Sequence, residues 1–100
     1  MTAPLRYRAD HIHEFCCPVL EKLSLPRKDA EQVSDCLLQA DLRGVDSHGV
    51  IRLPVYAGRI QKGVVNPRPK PRIISAHPAA ALLKGDNGLG AALGSRAMDI

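Results

Sequence analysis

Proline constrains this chain more than any other residue. Eight of its 100 residues are proline, and each one removes a backbone donor and fixes φ at about −65°. Pro18, Pro26, Pro54, Pro67, Pro69, Pro71 and Pro78 punctuate the chain and restrict where helices and strands can run. The chain must be assembled from short helices, an extended connector and short strands, with the boundaries falling at or near the prolines.

The apolar spacing supplies the pieces. Ile12, Phe15, Cys16, Val19, Leu20 and Leu23 recur at steps of three and four, predicting a first helix over about 9–23 with Asp10 as its cap. Pro18 interrupts that pattern, so the helix is expected to kink there or to start later. Ala30, Val33, Cys36, Leu37, Ala40 and Leu42 give a second helix, about 28–42, with acids at its start, Arg43 at its end and Gly44 to stop it. A third helix, about 52–62, begins close to Pro54 and stops at Gly63. Asn66 to Pro71 is an extended proline-rich connector. Two short strands follow, about 72–76 and 80–84, separated by His77-Pro78, and a glycine-rich turn opens a further helix from about 89 that is still running at Ile100. Two strands alone make no stable sheet. The fold class is therefore α/β, and the 100 residues are expected to be the N-terminal piece of one larger domain.

Composition narrows the function. The chain has no Trp and one Phe, so its core is thin and built from Ala, Leu, Val and Ile. The net charge is +4, but the basic residues are dispersed. The densest run, Arg59, Lys62, Arg68, Lys70 and Arg72, is broken by prolines. A small anionic substrate accounts for this sign with fewer assumptions than nucleic acid does. Cys16, Cys17 and Cys36 are an odd set with two neighbours, which suggests no disulfide framework and a reducing, cytoplasmic setting. No apolar leader is visible at the start, and the longest apolar stretch, Ala79 to Leu83, is far too short to cross a membrane.

The cluster Asp46-Ser47-His48-Gly49-Val50-Ile51-Arg52-Leu53-Pro54-Val55-Tyr56 concentrates chemistry at a helix entrance. An imidazole exchanges protons near neutral pH, so His48 suits a carbonyl or alcohol oxygen. Arg52 can hold a carboxylate through two parallel hydrogen bonds, and Tyr56 follows one helical turn later. A proton donor beside a carboxylate clamp is what reduction of a 2-oxo acid needs. A plainer reading has Asp46 or Ser47 capping the helix, with His48 a polar loop residue and Arg52 solvated. Ser47 and His48 lack the third group of a hydrolase triad. His11, His13, Cys16 and Cys17 spread over more than one helix face, so no metal site is expected. Cys36 reads as core. Gly85, Gly88, Gly90 and Gly94 follow a strand and open a helix, but their spacing departs from a dinucleotide-binding loop. A tight turn packing a helix close to a strand is the simpler account.

The block Ala40-Asp41-Leu42-Arg43-Gly44-Val45-Asp46-Ser47-His48-Gly49-Val50 resembles the signature of the malate/L-lactate dehydrogenase type 2 family, which includes ureidoglycolate dehydrogenase, diketogulonate reductase, sulfolactate dehydrogenase and a reductase of cyclic imino acids. The likeness continues through Arg52-Leu53-Pro54-x-Tyr56 and Gly63-x-Val65-Asn66-Pro67, then Gly85-Asp86-Asn87-Gly88-Leu89-Gly90 and Ala97-Met98. It implies a non-Rossmann α/β fold, a homodimer, and NAD- or NADP-dependent exchange of hydride with a 2-hydroxy or 2-oxo acid such as malate or lactate. It also implies that His48 is the acid/base, Ser47 positions the reacting group or cofactor, Arg52 holds the substrate carboxylate and Tyr56 lines the pocket. Family members are several-fold longer, so most of the cofactor site is expected beyond Ile100. Two other readings stand beside this one: an inactive segment that needs the rest of its chain or a partner, and a small basic nucleic-acid-binding module.

Overall fold

The computed structural model describes residues 5–100. Helix α1 (Ala9–Lys22) and helix α2 (Arg27–Leu42) form a helical hairpin across a short connector. Their facing sides supply Cys16, Leu20, Ala30, Val33 and Leu37, and Leu25 from the connector closes the end. Helix α3 (Leu53–Gln61) adds Leu53 to the same core, and helix α4 (Gly90–Met98) returns to pack on α2 with Leu89 and Ala92.

Helix α1 runs unbroken through Pro18, where a kink or a later start was expected. Both Pro18 and Glu14, whose carbonyl loses its partner, face solvent. Asp10 is not the cap. Arg8 holds that position, and Asp10 sits in the first turn, where its carboxylate accepts the His11 amide at 3.1 Å and pairs with Arg8 at 3.0 Å. Two residues assigned to apolar stripes are in the open: Phe15 is 61% and Leu42 62% exposed. Phe15 lies at the edge of its stripe, whereas Leu42, two residues after Ala40, projects from the opposite side of α2. Cys36 is half-buried rather than core, with Gln32 donating to its Sγ at 3.5 Å.

Helices α1, α2 and α3 end in one device. Gly44 has φ 78° and donates to the Asp41 carbonyl at 3.1 Å, while Val45 donates to Ala40 at 2.8 Å. This crossed pair is the Schellman motif, and its left-handed residue suits glycine. Gly63 ends α3 in the same way. Ser24, with φ 78°, ends α1 by the same pair of bonds but carries a Cβ.

Strands β1 (Arg72–His77) and β2 (Ala80–Lys84) form an antiparallel hairpin closed by Pro78-Ala79. The register pairs Arg72 with Lys84 and His77 with Ala80, and a bulge at Ile74 shifts it between Ile73 and Ser75. Nearly every strand residue is exposed on both faces. The described chain measures 53 × 30 × 22 Å, elongated because its helices share a core that the hairpin does not enter. Helix α4 is regular over Gly90–Met98, and the Asp99 and Ile100 amides donate to the Arg96 and Ala97 carbonyls.

One ion pair spans the helical part. Arg96 Nη2 of α4 donates to both carboxylate oxygens of Asp29, in the first turn of α2, at 2.7 Å. The Asp29 side chain is only 5% exposed and that of Arg96 39%. The helix N-terminus also favours the carboxylate there.

Candidate active site

The residues singled out in the sequence lie between α2 and α3. After the Schellman turn the chain forms two short 3-10 turns, Asp46–His48 and Val50–Arg52, joined at Gly49. The His48 amide donates to Val45 at 3.1 Å and the Arg52 amide to Gly49 at 2.9 Å. Pro54 follows in the first turn of α3, the place in a helix that tolerates it.

No side chain caps either turn or α3, so neither Asp46 nor Ser47 is a cap. Instead, Ser47 Oγ and His48 Nδ1 share a hydrogen bond of 2.8 Å. Arg52 Nε donates to the Ser47 carbonyl at 2.9 Å. Ser47, His48 and Arg52 are thus brought into one unit. Ser47 and His48 are exposed, and Arg52 is half-buried. Tyr56 is half-buried and packs against the helical core, one turn along α3 from Arg52.

This arrangement has a chemical consequence. With Nδ1 occupied by Ser47, His48 keeps Nε2 for an incoming group. When Nε2 acts as a base, Nδ1 carries the ring proton and donates it to the Ser47 hydroxyl, which can accept. The guanidinium spends Nε on the backbone and keeps its two terminal nitrogens, which form an end-on fork for a carboxylate. Val45 and Ile51, exposed on either side of the loop, give the surroundings an apolar border.

Sequence reasoning assigned no role to Asp41. Its Oδ2 accepts the Val50 amide at 2.9 Å, reaching from the last turn of α2 across nine residues. Its carboxylate also fills the space where a Cβ on Gly49 would project. The signal was present in the sequence: an acid in the last turn of a helix opposes the helix dipole. Burial pushes the Cys16 thiol up from its ordinary range, and the neighbouring Cys17 and the Asp41 carboxylate add to the effect. A cleft of about 860 Å³ adjoins the loop, lined by Arg6, Tyr7, Ile12, Leu38, Asp41 and Val50 among others.

The glycine-rich turn forms no phosphate cradle. Asp86 and Asn87 are left-handed and the Gly88 amide donates to Gly85 at 3.0 Å, the pattern of a type I′ turn. A Cβ at Gly85 would strike Leu93, and one at Gly88 would strike Pro69. These glycines admit neighbouring side chains, so the turn lies against α4 and the proline-rich connector. Among the described residues no group of three or more His, Cys, Asp or Glu is placed to hold a metal ion; Cys17 Sγ lies 3.6 Å from His13 Nδ1. No helix is long and apolar enough to cross a membrane, as far as the described residues show.

Known proteins share both the pattern and the shape. Residues 7–100 match the malate/L-lactate dehydrogenase family. Malate dehydrogenase of Pyrococcus horikoshii is 47% identical over 96 residues, which are 96% of this chain and 27% of that protein. The structure of that enzyme superposes with a TM-score of 0.92 over 95% of this chain and 27% of its own. L-sulfolactate dehydrogenase of Methanocaldococcus jannaschii is 40% identical over 82% of this chain and 24% of its own length; its structure superposes with a TM-score of 0.89. Ureidoglycolate dehydrogenase (NAD(+)) of Escherichia coli strain K12 is 35% identical over 86% of this chain and 25% of its own. These relatives are dehydrogenases named for hydroxy acids. This chain belongs to the malate/L-lactate dehydrogenase family, and it spans about a quarter of the length of the relatives it matches.

Proposed function

We propose that this chain supplies the proton-transfer and carboxylate-holding side of a dehydrogenase that interconverts a small 2-hydroxy acid and its 2-oxo acid. The Ser47–His48–Arg52 unit carries this reading. In the reductive direction His48 gives a proton from Nε2 to the carbonyl oxygen, and in the oxidative direction it takes the hydroxyl proton. The Ser47 hydroxyl holds the imidazole through Nδ1. Arg52 grips the substrate carboxylate with its two terminal nitrogens and so orients the carbon beside it. Tyr56 forms the wall of the pocket on the α3 side.

In this class of reaction NAD or NADP supplies or accepts the hydride. The glycine-rich turn does not fit a dinucleotide, because Leu93 and Pro69 fill it. Most of the cofactor site is proposed to lie beyond Ile100, in the non-Rossmann fold that the family resemblance implies. Malate and lactate are the first substrates to try, and a cytoplasmic homodimer is the form proposed for the complete polypeptide. The segment alone is proposed to be inactive. The exposure of Ser47 and His48 favours this, since hydride transfer needs water excluded from the reacting carbon.

Steady-state kinetics on the complete polypeptide tests the reading. His48→Ala is expected to lower kcat by roughly a hundredfold or more, with KM little changed. Arg52→Ala is expected to raise KM for the carboxylate substrate by roughly a hundredfold. Unchanged kcat in the first variant removes His48 from the chemistry. An unchanged KM in the second removes Arg52 from substrate binding.

A further inference from the structure

We propose that Asp41 is the positioning residue for His48: it clamps the His48 loop onto the end of α2 through the Val50 amide and the bare face of Gly49. This rests on reading His48 as the acid/base group. Three independent features meet at Asp41. Its carboxylate accepts the Val50 amide at 2.9 Å. Its own carbonyl is held by the Gly44 amide at 3.1 Å, within the turn that ends α2, so the backbone and the side chain of one residue are both fixed. Gly49 approaches that carboxylate so closely that any Cβ would overlap it.

The φ of Gly49 is −89° and its ψ −149°, not the left-handed conformation that favours glycine elsewhere in the chain, and the close approach of the Asp41 carboxylate leaves no space for a Cβ. An aspartate in the last turn of a helix opposes the dipole, and α2 has no basic residue there to offset it. The Val50 bond returns that loss as a charge-assisted hydrogen bond. The loop is then pinned at Val45 by the helix-ending turn, at the Ser47 carbonyl by Arg52, and at Val50 by Asp41. His48 lies between the last two pins. Asp41 acts through this loop and carries no proton of the reaction.

The test uses the complete polypeptide with Asp41→Ala, Asp41→Asn, Gly49→Ala, the Asp41→Ala/Gly49→Ala pair and Val50→Pro, with His48→Ala as reference. Val50→Pro removes the donor in place of the acceptor, its ring carbon taking the position of the amide hydrogen that faces Asp41, so it breaks the same contact from the other side if Asp41→Ala fails to fold. Asp41→Ala and Val50→Pro are expected to lower kcat by roughly a hundredfold, the scale of a misplacement of about 1 Å, with a smaller change in KM. Asp41→Asn keeps an acceptor oxygen and is expected to restore kcat to within about tenfold of the unsubstituted chain. Gly49→Ala is expected to be as slow as Asp41→Ala. The pair is expected to match Asp41→Ala within about twofold, because the clash is removed along with the carboxylate. A folded Val50→Pro or Asp41→Ala protein with unchanged kcat overturns the proposal. It is equally overturned if Asp41→Asn is as slow as Asp41→Ala, or if the two losses multiply in the pair. If His48→Ala turns over normally, the acid/base reading itself has failed. If His48→Ala is slow while Asp41→Ala and Val50→Pro are not, only the role of Asp41 is lost.

Discussion

The helical part and the β hairpin obey different physics within one short chain. The helices share one core, in which Leu20, Ala30 and Val33 lose all contact with solvent. The hairpin is paired through its backbone and adds no residue to that core, with Ile73, Ile74 and Leu82 in the open. The candidate site belongs to the first region. Its loop begins at the turn that ends α2, is tied to α2 through Asp41, and runs directly into α3. A proton-transfer group needs its geometry held before substrate arrives, and the helical core is the part of the chain able to hold it.

The largest expected effect is in that core. Leu20→Ala removes a fully buried side chain and is expected to lower stability by about 3 kcal/mol. Leu82→Ser, on the exposed hairpin, is expected to change it by less than about 0.5 kcal/mol in this segment. Denaturant melts of the two variants measure the contrast, and equal losses would erase it. Next is the tie between α2 and α4. Arg96→Ala strands the buried Asp29 carboxylate and is expected to cost about 2 kcal/mol in the same melts. That is below the usual loss for a buried pair because Arg96 is 39% exposed. An unchanged melt would mean that α4 is held by Leu89 and Ala92 alone. The smallest effect is a gain: Ser24→Gly relieves a left-handed non-glycine residue and is expected to add about 1 kcal/mol. A loss there would mean that the side chain of Ser24 contributes something the turn does not explain.

Much of this was legible in the sequence, for identifiable reasons. Gly44 and Gly63 end helices because glycine alone takes φ near 80° without penalty. The apolar periods of α1 and α2 follow from the helix repeat. Ser47, His48 and Arg52 stood out because their chemistry is concentrated in six residues, and hydrogen bonds join them. Other features depend on distances no local pattern encodes. The Asp41–Val50 bond spans nine residues and exists only because the turn at Gly44 doubles the chain back. The Asp29–Arg96 pair spans 67 residues. Phe15 fits its apolar stripe by spacing, yet periodicity gives the direction of a stripe and not the width of what covers it; Leu42, two residues after Ala40, falls outside the three-and-four spacing and is exposed. The glycine-rich turn could be told from a phosphate cradle only once Leu93 and Pro69 were seen to occupy it.

The most direct test of the proposed role of His48 is turnover of a 2-oxo acid by the complete polypeptide carrying His48→Ala, measured without and with added imidazole. The proposed chemistry predicts a strongly slowed enzyme that free imidazole partly restores in a saturable way, because only the proton-transfer group is missing. Turnover equal to that of the unsubstituted chain, with no response to imidazole, would contradict it.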